Sequence, residues 1–98
     1  MAISVITNAF GSQVLMRDLK VWQEGGCVKL VIFLDKEVSY KVGFLKKDPL
    51  QNRPPRVYID FAPARISNEV PFFLELGSKG YKIRVGQFDS NTVRVVVE

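Results

Sequence analysis

At 98 residues the chain has room for one domain and not two, and it can bury roughly 60–65% of its unfolded surface, enough for one core without metals or disulfides. Hydrophobic residues at 47% and charged residues at 24% exclude a disordered chain, and no apolar run approaches the ~20 residues that cross a bilayer as a helix. A net charge of +4 suits an anionic partner (nucleic acid, acidic polysaccharide or a membrane surface) no better than it suits plain solubility.

Residues 1–16 mix apolar and small polar types without a clean period. They read as a leader or added segment with room for one short strand, and 17–98 as the domain. Met1 to Asn8 carries neither the basic region nor the cleavage site of a signal peptide. For a domain working outside the cytoplasm, the expectation is a piece excised from a longer protein, with Met1 added. Leu19 to Gln23 alternates apolar and long side chains, and Glu24-Gly25-Gly26 supplies a turn. Cys27 to Leu34 is an apolar run broken only by Lys29, of strand length and rich in β-branched residues, and Asp35-Lys36-Glu37 ends it. Cys27, the sole cysteine, rules out an internal disulfide and is expected to be a buried, inert thiol.

Val38, Tyr40, Val42 and Phe44 share one face of the next strand. Lys46 to Pro55 holds three prolines and reads as a loop. In the strand from Arg56 to Phe61, Val57, Ile59 and Phe61 point one way, and Arg56, Tyr58 and Asp60 the other. Phe72 to Leu76, between Pro71 and Gly77, fits either one helical turn or a short strand. Two strands close the chain, Ile83-Arg84-Val85-Gly86-Gln87-Phe88 and Thr92-Val93-Arg94-Val95-Val96-Val97, around a turn near Asp89-Ser90-Asn91. No segment shows the sustained period of a packed helix. The expectation is an all-β fold, a small sandwich of two packed sheets with six to seven short strands, with a small barrel as the other solution.

Chemistry is thinly supplied. Without histidine the chain lacks the commonest neutral-pH base and metal ligand. Cys27 has no histidine to activate it, and Gly77-Ser78-Lys79-Gly80 lacks phosphate-loop spacing. Asp60, Glu75 and Glu98 could formally supply a carboxylate pair, but no feature supports glycoside cleavage. The domain is therefore expected to be no enzyme, with no metal or other cofactor.

What the pattern does supply is a basic face. Strand alternation projects Arg56, Tyr58 and Asp60, then Lys82 and Arg84, then Arg94 and Glu98, outward, with Val57, Ile59, Ile83, Val85, Val93, Val95 and Val97 inward. Arginine forks can grip carboxylates in bidentate fashion, and a tyrosine can offer an apolar face to a sugar ring. The plainer alternative is that Arg84 or Arg94 pairs with Asp60 or Glu98 across neighbouring strands. On this face Tyr58 is the only aromatic that alternation places among the arginines.

The run from Pro55 to Phe61, through Ile83 to Phe88, to Thr92 to Val97, with Lys29 to Asp35 as an earlier apolar strand, resembles the AMIN domain. That domain accompanies periplasmic N-acetylmuramoyl-L-alanine amidases and type IV pilus secretins. Departures are Lys29 where an arginine is usual and the long proline-bearing loop before Arg56. The resemblance implies a periplasmic, non-catalytic β-sandwich that binds peptidoglycan and targets a larger protein to the wall, with Arg56, Tyr58, Asp60, Arg84 and Arg94 as the glycan-binding residues. Any amidase zinc site would lie on a separate domain. A second reading is a structural domain of a secretin complex contacting secretin, pilus or division proteins. Val31 and Phe33 favour it as an apolar outer face of their strand, unless residues 1–16 or 62–76 cover them. A third reading, single-stranded nucleic-acid binding, is disfavoured by the small charge excess and the single aromatic.

Overall fold

The computed structural model describes residues 2–9, 14–77 and 80–98, with 2–9 as backbone alone. Nine strands form among them: β1 (Ala2–Ala9), β2 (Leu15–Glu24), β3 (Cys27–Leu34), β4 (Ser39–Leu45), β5 (Arg56–Ala62), β6 (Arg65–Ile66), β7 (Phe73–Leu76), β8 (Tyr81–Asp89) and β9 (Thr92–Val97). They make two packed sheets, one ordered β1-β3-β2-β6 and the other β4-β5-β9-β8-β7. The architecture is the expected all-β sandwich. The strand count exceeds the expected six to seven because the first sixteen residues contribute β1, and because residues 62–77 form the short strands β6 and β7 rather than a helical turn.

The core follows from alternation. Val28, Leu30, Ile32 and Leu34 of β3, Val57, Ile59 and Phe61 of β5, Ile83 and Val85 of β8, and Val93, Val95 and Val97 of β9 are all buried. Each such side chain contributes on the order of 1.5–3 kcal/mol before conformational entropy opposes it. Gly25 turns β2 into β3 with φ of 60° at the first central position only, as a two-residue II′ hairpin requires.

Two bulges shape the rest. In β2 the register slips between Met16 and Asp18, leaving Arg17 unpaired in the ladder. Met16 and Leu19, three residues apart, therefore both reach the core, a spacing that simple alternation forbids. The freed Arg17 donates from Nε and Nη2 to both oxygens of buried Asp35, at 2.7 and 3.2 Å. In β8 the register slips between Gln87 and Asp89, making Phe88 the extra residue.

Gln87 then ties the end of the sandwich together. Its Oε1 accepts from Ile66 N at 3.0 Å, and its Nε2 lies within bonding distance of the Ala64, Asp89 and Thr92 carbonyls. This fastens β6 to the β8–β9 turn. Residues 62–76 thus send Ala64 and Val70 into the core. β1 lies beside β3 in the sheet rather than over it. Val31 and Phe33 are nonetheless half-buried, and the Lys20 ammonium sits 5.7 Å from the centre of the Phe33 ring.

Candidate functional site

The outer face of the five-stranded sheet is built by the residues that alternate with the core positions. Register sets Asp60 directly beside Arg94 and Gly86 on Arg94's other flank. One row over, Gly43, Tyr58, Val96, Arg84 and Phe73 follow one another across all five strands. All five expected site residues, Arg56, Tyr58, Asp60, Arg84 and Arg94, therefore lie on one face, but they do not act alike.

Arg94 is already occupied. Its Nε donates to Asp60 Oδ1 at 2.7 Å and its Nη2 to Oδ2 at 2.9 Å. Its guanidinium carbon lies 3.7 Å from the Phe88 ring centre and 4.5 Å from that of Tyr58. The side chains of Arg94 and Asp60 are 26% and 8% exposed, so the ion pair is largely withdrawn from water. The hydrogen bonds to Asp60 hold the guanidinium above its ordinary pKa, against the opposing effect of desolvation. This is the plainer alternative realised: a fork satisfied by its own sheet, clamped by two rings.

Arg84 is more open, its side chain 49% exposed. Its Nη2 lies 2.6 Å from the buried Oε1 of Glu98, an ion contact off the axis of a hydrogen bond. Arg56 sits at the other end of β5 from Asp60. Among the described residues no carboxylate lies within ion-pair distance of it, and its Nε is buried without a hydrogen-bond partner. Arg84 and Arg56 thus retain donors that Arg94 has spent.

Phe88 divides the face into two shallow clefts. One, of about 400 Å³, is floored by Asp60 and Arg94 and rimmed by Lys41 and Thr92. The other, of about 460 Å³, is largely apolar, lined by Phe72, Phe73, Gly86 and Val96 with Arg84 at its edge. Phe88 and Phe73 correct the reading that Tyr58 is the only aromatic among the outward arginines. Position parity gave a signal for Phe88, but the bulge that turns it onto Arg94 cannot be read from composition. Gly43 was also missed. The Tyr58 ring lies across it so closely that any side chain there would collide.

A family model of the AMIN domain matches residues 18–98. Comparison with curated proteins and with solved structures gave no significant match. The chain belongs to the AMIN domain family. Members of that family are periplasmic, non-catalytic modules that bind peptidoglycan and target amidases and secretins.

Proposed function

We propose that this chain is the wall-binding module of a larger periplasmic protein such as an N-acetylmuramoyl-L-alanine amidase, and that it engages peptidoglycan with the outer face of the five-stranded sheet. The observation that carries the reading is the half-exposed Arg84 at the edge of an apolar cleft lined by Phe72, Phe73 and Phe88. A stem-peptide carboxylate would meet the guanidinium while an apolar sugar face lies on the rings. In this division of labour Arg84 and Arg56 contact the ligand. Tyr58, Asp60 and Arg94 hold the platform flat, with only the remaining donors of Arg94 turned outward.

Co-sedimentation with intact sacculi tests this. The wild type should pellet, and Arg84→Ala with Arg56→Ala, confirmed folded by circular dichroism, should stay largely in the supernatant. Lys20→Ala, on the other sheet, should pellet as the wild type does. A wild type that remains soluble at low salt would refute wall binding by this domain.

The second reading, a protein-contacting domain of a secretin complex, is supported by apolar side chains left exposed on β4. Phe73 and Phe88 beside the arginines also give the nucleic-acid reading a test. Oligonucleotide binding that falls steeply with salt would favour it.

A further inference from the structure

The five-stranded sheet is wider than the sheet packed against it. Tyr40, Val42 and Phe44 lie on the core side of β4, opposite Phe61, Ile59 and Val57 in register. Yet they are 51%, 48% and 77% exposed, because among the described residues no strand of the second sheet packs over them. β4 is also an edge strand, paired among the described residues only with β5. Its seven-residue register is regular, without bulge or proline, whereas the opposite edge, β7, has four residues. Proteins ordinarily blunt such an edge; on this one the single charge, Lys41, faces away from the apolar stripe.

We propose that β4 pairs antiparallel with β4 of a second copy of this chain, centred on Val42. The register chooses itself by charge. Centred on Val42, Tyr40 faces Phe44 of the other copy twice, Lys41 faces Gly43, and just beyond the strand exposed Glu37 faces exposed Lys47 twice. Centring on Lys41 would set that lysine against itself and Lys36 against Lys46, a like-charge arrangement that destabilises a ladder. Centring on Gly43 would set Tyr40 against Lys46. Only the Val42 register matches aromatic with aromatic and acid with base.

The pairing joins two sheets into one of ten strands, with the apolar stripes of both copies meeting in the gap between the two smaller sheets. The two-fold axis stands perpendicular to the joined sheet, so both outer faces point the same way.

Sedimentation velocity of the 98-residue chain across a wide concentration range tests it. The wild type should move from monomer to dimer. Glu37→Lys and Lys47→Glu should each weaken association by about 2- to 30-fold, and the two together should restore it, since the swapped charges face each other again. Both positions are exposed and outside the strand, so neither swap threatens the fold. As a second readout, Val42→Cys in a Cys27→Ala background should give a covalent dimer on oxidation, because the two substituted positions face each other across the axis. A wild type that stays monomeric throughout, or single swaps without effect, or a double swap that fails to rescue, overturns the pairing. The apolar stripe would then await the strand of a different protein.

Discussion

Replacing Arg94 by alanine removes two charge-assisted hydrogen bonds to Asp60 and two ring contacts. It also leaves the Asp60 carboxylate, 8% exposed, without its partner. Breaking a fully buried pair costs roughly 3–5 kcal/mol, and a quarter-exposed arginine lets water reach the orphan, so the expectation here is about 2–4 kcal/mol. In a domain of this size that lowers the melting temperature by at least 8 °C or so. Urea denaturation of Arg94→Ala, Asp60→Asn and the double variant at neutral pH measures it. The double variant should be less damaging than the sum of the singles, with a coupling on the order of 1–3 kcal/mol. Additive singles, or an Arg94→Ala cost under about 0.5 kcal/mol, would show that the clamp is an ordinary surface pair and remove the rigid-platform argument.

Gly43→Ala should displace the Tyr58 ring that lies across it and cost roughly 1–3 kcal/mol, read by denaturant unfolding. Gln87→Ala strips partners from the Ile66 amide and the Ala64 carbonyl and should cost about 1–3 kcal/mol, with faster amide exchange in β6 than in β9 as its local signature. Stability and wall binding should be flat between about pH 5 and 8, since the chain has no histidine. The carboxylate of Asp89 is held low chiefly by the Asn91 amide and that of Glu24 chiefly by Lys29. Depressed folded values contribute stability above the ordinary carboxylate range and lose it as pH falls through them, so thermal melts should begin to drop below about pH 4.

The parts of this fold that alternate strictly were legible. Val57 through Phe61, Ile83 and Val85, and Val93 through Val97 declare their faces at period two, so the basic face could be assembled from sequence. What alternation conceals is any interruption of it. The Arg17 bulge lets Met16 and Leu19 share a core and made the first residues of β2 look patternless. In the site, the ion pairs of Arg94 with Asp60 and Arg84 with Glu98 were foreseeable as one alternative of two, because residue types allow both a free fork and a satisfied one. Register decides between them, and register is a property of the paired strands. The open flank of β4 was hidden for a different reason: Tyr40, Val42 and Phe44 have a core-facing pattern, and whether anything lies opposite depends on the width of the other sheet.

The position of β9 has a mechanical meaning. It is the central strand of its sheet, antiparallel to β5 on one side and β8 on the other. A pull transmitted along β9 therefore loads two ladders in shear, so that many hydrogen bonds must yield together. A pull that lifts β4 sideways from its edge would open one ladder bond by bond. In the wall-tethering role proposed above, the strand carrying the clamped arginine is thus also the strand best placed to bear tension.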